Sequence, residues 1–512
     1  MSLVKSTLTI GFFTFLSRIS GFVRDVLMAN LLGAGMLSDA FFVAFKLPNF
    51  FRRLFAEGAF NAAFIPSFSS ILTGDGRDAA IKFAGEVMSV LLLVLLVLNA
   101  VFIVFMPWIA PLFAPGFTDT PEKFDLTVAL SQITFPYILF ISLVSLLGGI
   151  LNSMGKFAAP AASPILLNLC MIGGMLWLSN LSPTPAHALS YAVFLAGMVQ
   201  LGWLVLACLR ADMMPPLMPP RLTARVKTML LLMAPAALGS GVQQLNLLID
   251  VIIASHIPGA VSYLYYADRI TELPIGMIGV AVGTVLLPML SKQIRSGNLD
   301  GARTSMNRAL ELVLLFGLPA TAALLVIAEP VIRVLYQHGA FTPEDMRAVV
   351  PTLMAFTVGL PAFLAVKIFA PGFYANHDTK TPFKIALICV AVNLFFNLTL
   401  SRVFAQVGMA MATSIAGWVN LALMAWILHR RGVFAPDALL KIRLLKMLAA
   451  SAFMAAALAL AQGPFMGEAG QGMVANVIGL SALIATGMAV FGIGVLLFKA
   501  YEPGTLAQLR RR

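Results

Sequence analysis

The feature that most constrains this chain is a succession of long apolar stretches separated by short polar loops. A helix crossing a bilayer needs about 20 mostly apolar residues. Fourteen stretches meet that need, at 6–32, 37–69, 84–106, 126–151, 158–180, 186–209, 228–256, 262–290, 308–328, 348–373, 383–401, 408–429, 445–463 and 473–499. No water-soluble interior could hold them. Hydrophobic residues make up 60% of the chain and charged residues 11%, against about 45–50% and 25% in soluble domains. The expected fold class is an all-α polytopic membrane protein of about 14 transmembrane helices. Prolines inside the second stretch (Pro48, Pro66) and the eighth (Pro274, Pro288) predict bends there. The first stretch runs on through Arg18 and Arg24 with no small-residue cleavage site, so it reads as a span rather than a removable leader.

The net charge of +12 fits this fold once the basic residues are placed. With the N-terminus inside, 23 of the 34 Lys and Arg fall in inner segments, while Lys123, Arg333, Arg347 and Arg402 fall in outer loops. That asymmetry follows the rule that cytoplasmic loops are positive, and it puts both termini in the cytoplasm. The surplus therefore reflects membrane topology rather than nucleic-acid binding. Cys170, Cys208 and Cys389 all lie in apolar runs, without metal spacing or a disulfide framework.

The chain also repeats itself. DVLMAN at Asp25 matches DVIIAS at Asp250, and MPWIAPLFAPGF from Met106 matches EPVIRVLYQHGAF from Glu329. Pro66 matches Pro288 and Pro160 matches Pro382, so the four offsets are 225, 223, 222 and 222. The expected organisation is an N-terminal lobe, 1–215 (helices 1–6), a C-terminal lobe, 222–432 (helices 7–12), and a pair of appended helices at 440–512. Six spans per half is an even number, so the repeat is parallel. Transporters built this way bind substrate between the halves.

Seven basic residues fall inside the stretches: Arg18, Arg24, Lys46, Arg52, Arg53, Arg269 and Lys367. On a helical wheel Ser17, Arg18, Gly21, Arg24 and Asp25 share an arc of about 120° at about 100° per residue. A charge at mid-bilayer costs on the order of 3 kcal/mol even by lenient scales, so such a stripe faces protein or a wet cavity. One reading is scaffolding, in which the charges cancel: Arg24 with Asp39, Arg53 with Glu57, Arg269 with Glu272. The other is a binding site. Arg18, Arg24 and Arg52 outnumber nearby acids, and a guanidinium fork matches the oxygens of a phosphate or carboxylate. Lys46 and Lys367 have the reach to snorkel to an interface. Asp250 in helix 7, Asn393 and Asn397 in helix 11 and Thr413 in helix 12 offer hard oxygens for a small cation, or else hydrogen bonds between helices.

Motifs of other functions are absent. There is no GxxxxGK[ST] for nucleotide, no HExxH, and no aspartate-rich cluster for Mg²⁺-dependent prenyl chemistry. A drug or cation antiporter is the alternative transporter reading, and it calls for an acidic cavity rather than an arginine-rich one.

The segments SRISGFVRD (17–25), SDAFFVAFKLPNFFRRLFAEGAFNAAFIP (38–66), APGF (114–117), TFPYI (134–138), YYADRITELP (265–274) and APGFY…KTP (370–382) resemble the MurJ/MviN family. These are lipid II flippases of the bacterial inner membrane, within the multidrug/oligosaccharidyl-lipid/polysaccharide exporter superfamily. The likeness runs from residue 1 to about 430, and helices 13 and 14 match in position and hydropathy alone. It implies fourteen helices around a cationic cavity and transport by alternating access, without enzymatic chemistry. Arg18, Arg24, Arg52 and Arg269, with Asp39 as the matching acid, would form the site for the pyrophosphate and head group of lipid II; Asp25 and Glu272, beside these arginines on helices 1 and 8, join the expected site on position alone. Helices 13 and 14 would form a groove for its polyprenyl tail. The implied partners are lipid II and membrane lipids, with the chain acting as a monomer. Sodium binds between helices 7, 11 and 12 in some members. The matching positions are Asp250, Asn393, Asn397 and Thr413, but Asn397 stands where such members carry an acid, which leaves the coupling ion open.

Overall fold

The computed structural model describes residues 3–53, 58, 60–467 and 472–500. Regular structure among them is helical throughout: α1 (Leu3–Leu32), α2 (Met36–Phe51), α3 (Asn61–Gly74), α4 (Arg77–Phe113), α5 (Pro121–Thr134), α6 (Tyr137–Ser153), α7 (Ala158–Gly173), α8 (Pro185–Arg210), α9 (Ala224–Ser255), α10 (Ala260–Arg295), α11 (Leu299–Val326), α12 (Ala328–Tyr336), α13 (Pro343–Tyr374), α14 (Lys380–Arg430), α15 (Ala438–Met466) and α16 (Met473–Leu497). Among the described residues nine helical segments are long and apolar enough to cross a membrane. They are α4, α5 with α6, α7 with the π-helical turn Gly174–Leu178, α8, α11, α13, α14, α15 and α16. The other expected spans coincide with α1, the α2–α3 segment, α9 and α10, which are the helices that carry most of the internal charges.

Helix boundaries follow local chemistry. The stretch expected as one bent span at 37–69 comprises α2 and α3, and the described residues between them, Arg52, Arg53, Gly58 and Phe60, are helical too. The 126–151 stretch divides at Phe135–Pro136, where proline has no N–H to give and its ring clashes with the preceding turn. The expected helices 383–401 and 408–429 are the two limbs of α14, which meet at a kink where Ala405 takes the non-helical φ 49°. Gly408 is needed just beyond that kink, because a Cβ there would run into the carbonyl oxygen of Leu400.

The chain folds as two compact units. One comprises Met1–Ser262 with Gly339–Phe341, the other Tyr263–His338 with Thr342–Arg512. These units do not coincide with the lobes at 1–215 and 222–432. Compactness groups α9 with α3, α4 and the 3-10 turn Pro115–Asp119, on which it packs, whereas the repeat is a matter of sequence register. In the first unit Phe60, Phe64 and Phe83 stack in a ladder, and Phe102 lies flat on Phe135 at 4.3 Å. In the second, α11, α13 and α14 close around Val313, Leu360, Leu364, Phe369 and Leu428. Outward-facing residues such as Trp108, Trp177 and Leu460 are large, apolar and exposed, as a lipid solvent permits.

The appended α15 is bound to α11 by charge. Glu311 is buried and accepts from Arg443 at 2.9 Å and from Arg308, which also pairs with Asp437. Asn307 reaches the carbonyl of Ala435 at 2.9 Å. The sequence gives no sign of this cluster, because its members come from two helices more than a hundred residues apart.

Candidate substrate-binding site

The helical spacing of α1 puts Ser17, Ser20, Gly21 and Arg24 along one side. Asn168 of α7 lies against that side and organises it. Its Nδ2 donates to the Ser17 carbonyl at 3.0 Å and to Ser20 Oγ at 2.9 Å, and its Oδ1 accepts from Arg24 Nη1 at 3.0 Å. Gly21 lies beneath the Asn168 amide, where a Cβ would make van der Waals contact at 3.4 Å. The remaining guanidinium nitrogens of Arg24 donate to Asp25 Oδ1, Nη2 at 2.6 Å and Nε at 3.0 Å. Arg24 is 7% exposed and Asp25 4%. The cation is thus neutralised by its neighbour and held by an amide, as buried charge requires. Arg18, on the same wheel arc, is exposed.

Asp39 does not pair with Arg24 as the scaffolding reading expected. It sits in the first turn of α2, fully buried, and takes Lys123 Nζ at 2.7 Å. It also accepts from the Ser262 N–H at 2.9 Å and from the Ser262 hydroxyl. Lys123 was expected in an outer loop. It lies in α5, buried, with its ammonium 3.9 Å from the centre of the Phe117 ring. The reason is geometric: Asp25 is already beside Arg24 on α1, and α2 packs on α5. Arg52 is half-buried, and its Nε donates to Asn49 Oδ1 at 2.9 Å. Lys46, Arg53 and Lys367 are exposed. Glu57, the expected mate of Arg53, lies outside the described residues.

In the second unit the expected pair of Arg269 and Glu272 forms at 2.8 Å on α10, and the Arg269 guanidinium lies 4.7 Å from the centre of the Tyr265 ring. Asp268 is exposed. Sequence reasoning passed over Tyr265, although it stands four residues before Arg269 and so on the same helix face. It also passed over Asn168, whose signal is a lone amide in the apolar run PILLNLC. Lys123 carried no such signal, since a lysine beside a predicted loop looks solvated.

Of the residues considered for a cation, Asp250 is half-buried in α9 of the first unit. Asn393, Asn397 and Thr413 meet in the second: Asn397 Nδ2 donates to Asn393 Oδ1 at 2.9 Å, and Asn393 Nδ2 to Thr413 Oγ1 at 3.3 Å. The first contact lies within one limb of α14 and the second joins its two limbs across the kink, with the oxygens of Asn393 and Thr413 as acceptors. That is the pattern of polar side chains bonding between helices. No group of three or more His, Cys, Asp or Glu suited to a metal occurs among the described residues.

Many apolar helices, with guanidinium groups buried among them, define a multispanning helical membrane protein of the transporter class. Comparison with known proteins bears this out. A family profile described as lipid II flippase MurJ matches residues 28–478. A probable lipid II flippase MurJ of Rhizobium meliloti is 44% identical over 505 residues, covering 96% of this chain and 94% of that protein. The corresponding protein of Rhizobium tropici is 42% identical over 100% and 97%, and the lipid II flippase MurJ of Burkholderia cenocepacia 36% identical over 85% of this chain and 86% of that protein. A solved lipid II flippase MurJ in an inward closed conformation superposes with a TM-score of 0.80 at 28% identity, over 96% of this chain and 98% of that one. A multidrug-resistance MATE transporter in an inward-facing conformation shares the fold, with a TM-score of 0.68 at 13% identity, over 83% and 98%. The chain belongs to the lipid II flippase MurJ family.

Proposed function

We propose that this chain is the flippase for lipid II, carrying it from the cytoplasmic to the periplasmic leaflet of the bacterial inner membrane for peptidoglycan synthesis. Family membership over nearly the whole chain carries this reading. In it the fourteen spans form two six-helix lobes related by the parallel repeat, the termini face the cytoplasm, and α15 and α16 hold the polyprenyl tail. The protein acts as a monomer and a transporter, with no bond made or broken.

The arginines receive the pyrophosphate and head group. Arg24 is already engaged by Asp25 and Asn168, so an incoming anion competes with a carboxylate instead of meeting a bare cation. Competition of this kind keeps capture reversible, which release on the far side demands. Arg18, Arg52 and Arg269 add charge, and Asp39 acts indirectly, through Lys123 and Ser262. The oxygens of Asn393 and Thr413 each accept one hydrogen bond, and no coupling ion is assigned. A potential negative inside favours expelling an anion, by about 2.3 kcal/mol per charge per 100 mV.

The test is reconstitution into liposomes with labelled lipid II and a membrane-impermeant reagent that reads its leaflet. The native chain should move label to the far leaflet faster under an imposed potential, and Arg24→Ala should slow it. Lipid II movement no faster than in protein-free liposomes would refute the assignment.

A further inference from the structure

Two glycines at matched places in the repeat make the same kind of contact. Gly116, in APGF, and Gly339, in QHGAF, are 223 residues apart, and each lies in the loop that precedes a helix opening Thr-Pro-Glu (Thr120–Glu122 and Thr342–Glu344). Gly116 abuts the end of α9. Its N–H donates to Ser255 Oγ at 3.0 Å, and a Cβ on it would lie 2.5 Å from the carbonyl of Ser255 and the amide of His256. Gly339 abuts the end of α1. A Cβ on it would strike the side-chain and backbone oxygens of Asn30, and the next residue, Ala340, donates its N–H to the Asn30 carbonyl at 2.8 Å. Asn30 and Ser255 are themselves the last residues of the matched segments DVLMAN and DVIIAS. The contact is therefore reciprocal: the loop of each half grips the first long helix of the other. Gly33 tightens the second grip, since at φ 65° it turns the chain out of α1 and leaves no room for a Cβ beside the Ala340 carbonyl.

These contacts join partners far apart in sequence, and at both glycines the backbone of the opposing helix end lies where a Cβ would go, so neither grip can admit a larger residue without moving. Contacts of that sort are either made or broken, because a packed interface has discrete arrangements. We propose that Gly116 and Gly339 are the two halves of one clasp that closes the outer ends of α9 and α1 and parts as a unit when the transporter opens outward. The inference rests on the transporter reading and orientation proposed above, and it names the residues that shut the site on that side.

The test uses the full chain in cells, with Cys170, Cys208 and Cys389 replaced by alanine. Ser255→Cys places a thiol in the first grip, and a membrane-impermeant maleimide measures its exposure. Gly339→Ala disturbs the second grip only. Gly202→Ala is the control, because a Cβ there meets nothing within 4 Å. If the grips act together, Gly339→Ala raises labelling of Ser255→Cys from outside by about tenfold, equivalent to about 1.4 kcal/mol, while Gly202→Ala leaves it unchanged. Equal labelling in the two backgrounds overturns the clasp. The mirror experiment, Asn30→Cys labelled in Gly116→Ala, decides the matter should Gly339→Ala not reach the membrane. A thiol labelled only in inverted vesicles overturns the proposed orientation instead.

Discussion

The pairing of Lys123 with Asp39 allows a sharp stability test. Asp39 is fully buried, and its carboxylate is served by Lys123 Nζ at 2.7 Å and by two donors of Ser262. Lys123→Met keeps the length and apolar stem of the side chain but removes the ammonium that pairs with the carboxylate. Breaking a buried pair by deleting one partner costs about 3–5 kcal/mol, because a charge is left uncompensated. The Ser262 donors remain, so the lower end, about 3 kcal/mol, is expected. At about 2 °C per kcal/mol the melting temperature in detergent micelles should fall by about 6 °C. Asp39→Asn combined with Lys123→Met removes both charges and should melt above Lys123→Met alone, giving a coupling of about 2 kcal/mol in the double-mutant cycle. If Lys123→Met melts within about 1 °C of the native chain and the two substitutions add independently, the buried pair has no energetic role and the reasoning fails.

Other outcomes follow from single contacts. Asn168→Ala strips Arg24 of an acceptor and Ser17 and Ser20 of a donor. Stability should fall by about 1–3 kcal/mol, and lipid II transfer in liposomes should slow more than for an alanine placed at the lipid-facing Leu169. Ala405→Gly should raise the melting temperature, by relieving about 1 kcal/mol of left-handed strain at φ 49°; a lower value would mean the kink is not strained. In the loop between α13 and α14, partial desolvation pushes the Asp378 carboxyl up, but bonds from Thr381 and Arg431 and the Arg431 charge outweigh it and lower the carboxyl to about 2 from an ordinary 3.8. Its stabilising share is therefore full above pH 3.8 and lost as pH falls towards 2. Asp378→Asn should lower stability at neutral pH and flatten the acid limb of the melting curve in that window. Glu311→Gln should destabilise by about 3 kcal/mol, read as earlier proteolysis of α15, because Arg308 and Arg443 lose their shared carboxylate.

Sequence alone determined the solvent and the chemistry of this protein. Apolar length dictates helices, since a bilayer leaves backbone groups no other partner. The positions of Arg18, Arg24, Arg52 and Arg269 in such helices are equally plain, as is the pairing of Arg269 with Glu272, for which three residues of helix suffice. What the sequence left open are pairings between helices. Arg24 was expected to pair with Asp39 on the next helix; packing gave Asp39 to Lys123 instead, left Arg24 with its neighbour Asp25, and brought Asn168 from α7 onto Ser17 and Ser20. Lys123 looked like a solvated loop residue until α5 was laid on α2, which buried it against Asp39. The same holds for Gly116 and Gly339. The repeat marks them as equivalent, but which chain each presses on is fixed by side-chain and backbone shapes meeting across hundreds of residues. Periodicity is local and readable along a chain; the choice of partner depends on where distant helices come to rest.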